Sequence, residues 1–581
     1  MVLEKINGPE DVKKLSVEEM KTLAAEMNDR VVQKTAVHGG HIGPNLGVSE
    51  MTIALHYVFN SPIDKLVWDV SHQTYPHKML TGRKIGFEPG HYDEVMPYTN
   101  PGESVHDFFN VGHTSTSIAN AVGLAKARDM AGETGNIIAI IGDGSLSGGL
   151  ALEALNNAAQ LKTNLIIIAN DNQMSIDKNY GGLYENLREL RESEGQAANN
   201  LFKAFNLDYK YLADGNDIER LISLFQSVKD IDHPIVLHIN TEKGHGWQPA
   251  IDEKRRFHWG GNFDPKTGKD LSPKGGRSWG DLVPEYLGKK IDAGEKVLAI
   301  NAAIPGILGL VEFYEKYPDN YWDAGIAEQF TMTFGGAAST VKGVRPIIFH
   351  NSTFVQRAYD QLMHDISMNN EPAIVVVAGV SINSADSSHQ GSFGTGWLST
   401  VPNFVYLAPT NETEFTNMMD WAIAQHEKPV MINLPQHGLT STTTSSLKDF
   451  AKPKYDIVEN GADVAILGLG GFFDQAHKVS DELAKSGVHA TLVNPLFIRE
   501  LDTATLDKLA ETHKVLATFE DNTLDGGFGQ RVASYLARKG VKVLNFGALT
   551  EFVDEIPTAE LYQKYHLTPE LASADILDAL K

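Results

Sequence analysis

The 581 residues include no cysteine. That one absence excludes disulfides, thiol nucleophiles, iron–sulfur clusters and cysteine-ligated zinc. Positive charge is also scarce: 50 Lys and Arg face 74 Asp and Glu, a net charge of −24. A chain this acidic is a poor partner for nucleic acid or an anionic membrane, because both demand basic surface. Long apolar runs are missing as well. The longest, Asn136–Ile141 and Ala373–Val380, are strand-sized and far short of the roughly 20 residues of a membrane span. The opening residues carry no basic stretch leading into an apolar one, so no secretory leader is expected and the expected compartment is the cytoplasm.

What is present has the look of several packed cores. Hydrophobic residues make up 42% and charged residues 21%, ordinary for a globular chain, and the length predicts about four domains or three larger ones. Short β-branched runs recur between helical patterns: Ile137–Ile141, Leu165–Ala169, Ile235–Ile239, Ile347–Phe349, Ile374–Val377 and Val464–Leu469. Unbroken apolar runs of this size predict buried parallel strands with helical crossovers, hence an α/β fold with several open sheets. Two stretches read as linkers: Asn262–Arg277, rich in Gly, Pro and Lys, and His437–Tyr455, which holds the Ser441–Ser446 cluster. They divide the chain at about 1–265, 278–437 and 456–581.

One motif carries chemistry. The run Asn136–Ile141 leads directly into Gly142-Asp143-Gly144-Ser145, and a helical pattern begins near Leu150. A strand that ends in a glycine turn and opens into a helix points backbone N–H groups at a diphosphate. The aspartate cannot serve that anion directly, but it can serve a divalent cation bridging to it. The next strand ends in Asn170-Asp171-Asn172-Gln173-Met174. In a doubly wound sheet both strand ends face the ligand side, and an amide oxygen plus a backbone carbonyl suit Mg²⁺. A lone Gly-Asp-Gly is more often a plain turn; the paired strand end favours the functional reading.

Gly142-Asp143-Gly144 followed by Asn172 resembles the signature of thiamine-diphosphate enzymes. More specifically, the chain resembles the 1-deoxy-D-xylulose-5-phosphate synthase family of the transketolase superfamily. The motifs that carry the likeness are His38-Gly-Gly-His-Ile-Gly-Pro-Asn-Leu-Gly47, Trp68-Asp-Val-Ser-His-Gln-Thr-Tyr-Pro-His-Lys78, Val111-Gly-His-Thr-Ser115, Ala324-Gly-Ile-Ala-Glu-Gln329, Ser352-Thr-Phe-Val-Gln-Arg-Ala-Tyr-Asp-Gln361 and Ser388-His-Gln-Gly391. The resemblance runs from about residue 15 to the C-terminus. It implies three transketolase-like domains, each an open, doubly wound, mostly parallel sheet flanked by helices. The first would bind diphosphate and Mg²⁺ and the second the aminopyrimidine, in a homodimer.

The same resemblance assigns roles. Thiamine diphosphate and Mg²⁺ would be the cofactors. Asp143, Asn172 and the Met174 carbonyl would hold the metal, with Gly142, Gly144 and Ser145 forming the turn. His72, His113, Thr114 and Ser115 would line the cofactor, and Lys243 would reach the diphosphate end. Glu328 would bond N1′ of the pyrimidine and promote the imino tautomer. Most of the 21 histidines are expected to be structural. His41, His72 and His258 are the ones expected to guide proton transfer on the substrate. Tyr359, Asp386 and His389 would stand on the acceptor side.

The acceptor motifs depart from the family pattern. The family's Asp-Arg-Ala-Gly reads Val377-Ala378-Gly379-Val380 here, its Arg-Tyr-Pro-Arg-Gly begins Asn433-Leu-Pro-Gln436-His437, and a third family arginine falls near Ser399. No arginine occurs between Arg357 and Arg499. An aromatic expected to stack on the pyrimidine is aliphatic at about Val375, and the first domain is shorter after Asn179. Arginine grips phosphate bidentately where lysine acts as a point charge, so a pyruvate-like donor is expected with an aldehyde acceptor that lacks phosphate or carries it elsewhere. Transketolase-type ketol transfer and a non-catalytic cofactor-binding relative stay open as alternatives.

Overall fold

The computed structural model describes residues 1–273, 275–436, 438–439 and 445–581. His437 and most of the Ser441–Ser446 cluster therefore lie outside the described residues. The chain forms two compact units, Met1–Lys274 with Gly325–Ala327, and Gly275–Ala324 with Glu328–Lys581.

In the first unit a two-residue strand, β1 (Gly40–His41), precedes β2 (Lys65–Trp68), β3 (Ile137–Gly142), β4 (Leu165–Asp171), β5 (Asp208–Leu212) and β6 (Pro234–Asn240), and a second short strand, β7 (Trp259–Gly260), follows. Strands β2 to β6 form one sheet in the order β2-β3-β4-β6-β5, parallel throughout. The run Ile137–Ile141 is continuously apolar because both of its faces are buried. Ile137, Ala139 and Ile141 pack into one core and Ile138 and Ile140 into another, as the alternation of side chains across a strand requires.

The second unit holds two sheets. Strands β8 (Lys296–Asn301), β9 (Tyr321–Asp323), β10 (Val344–Asn351), β11 (Ile374–Ala378), β12 (Val405–Leu407) and β13 (Val430–Leu434) pair in parallel in the order β12-β13-β11-β10-β8-β9. The last sheet has β14 (Asp456–Glu459), β15 (Asp463–Gly468), β16 (Thr491–Asn494), β17 (His513–Thr523) and β18 (Lys542–Ala548) in the order β14-β16-β15-β17-β18, with only β14 antiparallel. One hydrophobic core joins these two sheets: Val375 and Val377 belong to the same cluster as Ala465, Leu467 and Leu516.

Two stretches with linker composition nevertheless supply core side chains. Phe263 is buried and lies 5.5 Å from the rings of both Trp247 and Phe257. Phe450 is buried between Trp421 and Phe497. Among the described residues, no helix is long and apolar enough to cross a membrane.

Candidate active site

The sheet of the first unit brings the glycine turn and the next strand end together. Gly142 pairs with Asn170 across β3 and β4, and the Asp143 amide donates to the Asn170 carbonyl at 3.0 Å. A Cβ on Gly144 would stand 2.6 Å from Ser175 Cβ, so glycine is what allows the turn and the loop after β4 to touch. Asp143 is 2% exposed, and its Oδ2 accepts from Asn179 Nδ2 at 2.7 Å. Burial, and then the neighbouring Asp171 charge, holds its pKa above the usual carboxylate range, with Lys243 pulling the other way. Asp171 is instead compensated, by Arg191 and by His238 Nε2 at 2.8 Å, and it accepts the Gln173 N–H at 3.0 Å. That bond anchors the start of the loop carrying Asn172 and Met174.

Asn172 Oδ1 is buried and has no hydrogen-bond partner. Such an oxygen costs about 1–3 kcal/mol unless something binds it. Asp143 and Asn172 with a backbone carbonyl from Met174 make a set of hard oxygens, the kind that suits Mg²⁺. Among the described residues no group of three His, Asp or Glu side chains could hold a metal ion. A cation at Asp143 would thus depend in part on neutral oxygens and on whatever a ligand adds.

The neighbouring loop, His113–Ser115, is fixed by buried Asp69. Its two oxygens accept the Ser115 N–H at 2.8 Å and the Ser117 N–H at 3.0 Å. The Ser115 hydroxyl donates to the Ser145 carbonyl at 2.8 Å and lies 3.2 Å from that of Thr114. His113, Thr114 and Ser115 are in this way tied to the turn that bears Asp143 and Ser145.

His41, His72 and His258 form one cluster. Their ring centroids are 4.9 Å apart for His41 and His72, and 5.4 Å for each of the pairs with His258. The β1–β7 pairing, His41 opposite Trp259, brings His41 beside His258. Asn45 sets His72: its Nδ2 donates to the carbonyls of His41 and His72, both at 2.8 Å, while its Oδ1 accepts the Tyr75 N–H at 2.8 Å. Lys243 is 1% exposed. Its Nζ donates to the Ser175 carbonyl at 2.6 Å and lies 3.0 Å from His258 Nδ1, and burial pushes it down to about 7. Burial, then Lys243 and the other two imidazoles, keep His258 well below the usual histidine range.

In the second unit Glu328 opens the helix Glu328–Ser339 and is buried. Burial raises its pKa, with Arg357 opposing. Thr331 donates to the Glu328 carbonyl at 2.7 Å and lies 2.7 Å from His350 Nε2. Asp386 and His389 meet as a pair, Oδ2 to Nδ1 at 3.1 Å. The Tyr359 ring lies 5.7 Å from that of Trp397 and its hydroxyl 2.9 Å from Thr400 Oγ1.

The positions of the absent arginines are now specific. Gly379 has φ +76°, and a Cβ there would lie 2.8 Å from Asn351 Nδ2. Gln436 is exposed and accepts from Asn383 Nδ2. Ser399 does have an arginine beside it, contributed by Arg531, whose Nη2 donates to its carbonyl at 3.0 Å and its hydroxyl at 2.9 Å. Val375 is wholly buried in the core. Asn45 and Asp69 escaped sequence reasoning although both lie inside quoted motifs; apart from the His41 carbonyl, their contacts are to backbone atoms 27 to 48 residues along the chain. Arg531 left no local signal at all.

Three family models match the chain: 1-deoxy-D-xylulose-5-phosphate synthase over residues 3–198, transketolase pyrimidine binding domain over 276–441 and transketolase C-terminal domain over 454–571. With the three mostly parallel sheets, they define a protein of the transketolase type. Curated 1-deoxy-D-xylulose-5-phosphate synthases of Clostridium acetobutylicum and Symbiobacterium thermophilum are each 36% identical to it, over 98% of this chain and 98% and 94% of theirs. The chain belongs to the 1-deoxy-D-xylulose-5-phosphate synthase family. Among solved structures, a transketolase from Campylobacter jejuni matches 97% of this chain and 99% of its own, at 16% identity and a TM-score of 0.45.

Proposed function

We propose that this chain is a thiamine-diphosphate- and Mg²⁺-dependent transferase that joins a two-carbon unit from a pyruvate-like donor, with loss of CO₂, to an aldehyde. In relatives named for deoxyxylulose phosphate the acceptor would be glyceraldehyde 3-phosphate; here the phosphate is not required. The observation that carries the reading is Asn172 Oδ1, a buried oxygen with no partner, on a loop packed against the turn that buries Asp143. The residues present fit the cofactor: Asp143, Asn172 and Met174 would hold the metal, and Gly142, Gly144, Ser145, His113, Thr114 and Ser115 the diphosphate. When bound, thiamine diphosphate supplies a nucleophilic carbon.

The protein's part is to place protons. A carboxyl group buried as Glu328 is favours its protonated form, which suits a hydrogen bond to the pyrimidine N1′. His41, His72 and His258, drawn to one spot, can orient donor and product oxygens. Asp386 and His389 would face the acceptor. Two positions where the family carries arginine, Gly379 and Gln436, offer an acceptor phosphate no cation, which favours a neutral aldehyde. Transketolase-type ketol transfer is the second reading. We place the activity in a cytoplasmic homodimer, with domains at about 1–265, 278–437 and 456–581.

The test is CO₂ release from pyruvate across a panel of aldehydes, with products identified by mass spectrometry. Ketose consumption without CO₂ would establish the second reading. Inactivity with every donor would leave a cofactor-binding relative.

A further inference from the structure

Lys243 is an unusual choice for a diphosphate ligand, because its charge is already committed. Two glycines lie against it: a Cβ on Gly43 would stand 3.2 Å from Lys243 Cγ in the stem, and one on Gly47 3.4 Å from the backbone Cα. Backbone bonds then lock three chain segments around it. Gly244 N–H donates to the Gly43 carbonyl at 3.0 Å, Gly43 N–H to the Phe257 carbonyl at 2.7 Å, and Ile42 N–H to the His258 carbonyl at 3.3 Å. The relative positions of Lys243 and His258 are set by these contacts and need no ligand. At the end of the stem, Nζ meets the Ser175 carbonyl at 2.6 Å and His258 Nδ1 at 3.0 Å.

Below its lowered pKa Lys243 is an ammonium, with three donors and no acceptor, and a neutral imidazole has one nitrogen of each kind. Nδ1 therefore receives the proton of Lys243 and carries none of its own. We propose that Lys243 is a positioning residue that locks His258 in the Nε2–H tautomer, so that His258 meets a ligand as a hydrogen-bond donor and not as a base. Which ring nitrogen bears the proton is generally decided by the bond the other one makes. Through Ser175 the same ammonium also ties His258 to the loop of Asn172 and Met174. The tautomer concerns the ligand-free protein; the donor role rests on the proposed function.

The test is ¹⁵N NMR of the whole chain labelled at histidine, at pH 6, with the His258 signal assigned by its loss in His258→Gln. Long-range couplings should show an unprotonated Nδ1 and a protonated Nε2 in the wild type. In Lys243→Met the single tautomer should give way to a mixture, and Lys243→Arg, which keeps a donor, should restore it. An Nδ1–H tautomer in the wild type overturns the proposal, as does an unchanged Nε2–H tautomer in Lys243→Met. Wild type and Lys243→Arg keep the question decidable if Lys243→Met fails to fold. Activity then tests the donor role separately. His258→Gln, whose amide places N–H donors near the Nε2 site, should retain at least tenfold more pyruvate-consuming activity than His258→Leu. Equal loss in both overturns the donor role and leaves the tautomer assignment standing.

Discussion

Two strand ends of this chain invite comparison. Strand β3 runs into Gly142-Asp143-Gly144, and β11 runs into Gly379-Val380. Both strands are buried, both lie inside a parallel sheet, and both end where such sheets bind ligands. After β3 the turn carries a buried carboxylate, and neighbouring loops add an unpartnered amide oxygen, an ammonium and three imidazoles. After β11 the chain turns left-handed at a glycine with φ +76°, and the polar groups named nearby, Asn383 and Gln436, bond to each other. The scaffold offers the same place twice. Chemistry follows from which side chains stand there.

The largest effect that would break this contrast is at Glu328, in the second unit but apart from the acceptor motifs. Glu328→Ala should keep most cofactor affinity and slow hydrogen–deuterium exchange at the reactive cofactor carbon by about 10²–10⁴, the usual share of a positioned acid–base group. Unchanged exchange would refute the role. Asp143→Ala should lower activity by about 10²–10³, as for loss of one preorganised electrostatic partner. It should also abolish the rise in thermal midpoint that cofactor with Mg²⁺ brings by mass action; a shift equal to the wild type's would remove Asp143 from the metal site.

Smaller effects sharpen the comparison. Asn45→Ala should lose about 1–3 kcal/mol in denaturant unfolding, because it leaves buried backbone groups unpaired. Asn45→Asp should be at least as damaging, since an acceptor-only carboxylate would face two carbonyl oxygens. A harmless Asn45→Asp would dismiss the clamp. The smallest expected effect is a near absence of one. The ratio of kcat/KM for glyceraldehyde 3-phosphate over glyceraldehyde should stay within about tenfold, where two charge-assisted bonds of roughly 1.5–3 kcal/mol each would make it far larger. Gln436→Arg should raise the ratio. Gly379→Arg is the poorer probe, because the left-handed backbone and the contact with Asn351 would strain any side chain there. A strong phosphate preference in the wild type would erase the contrast.

Much of the first strand end was legible in advance. Ile137–Ile141 announces a buried strand, and a glycine turn with one acid announces where a cation would stand. Both are local patterns read over a few residues. The second strand end was legible mainly as a set of missing arginines, and there local reading went astray. Ser399 looked bare of charge because no arginine lies near it in sequence, yet Arg531 arrives from the helix Phe528–Leu536, 132 residues further on. Val375, read as the aliphatic residue at about the place of a stacking aromatic, sits in the core.

The sequence by itself determined the α/β class, the strand positions and the identity of the polar groups, because periodicity and turn chemistry act over neighbouring residues. The tertiary structure alone decided that Asn45 clamps the carbonyls of His41 and His72, that Asn179 takes one oxygen of Asp143, and that Lys243 faces His258. Those are contacts between segments that the chain must fold to bring within 3 Å, and no spacing along one segment encodes them.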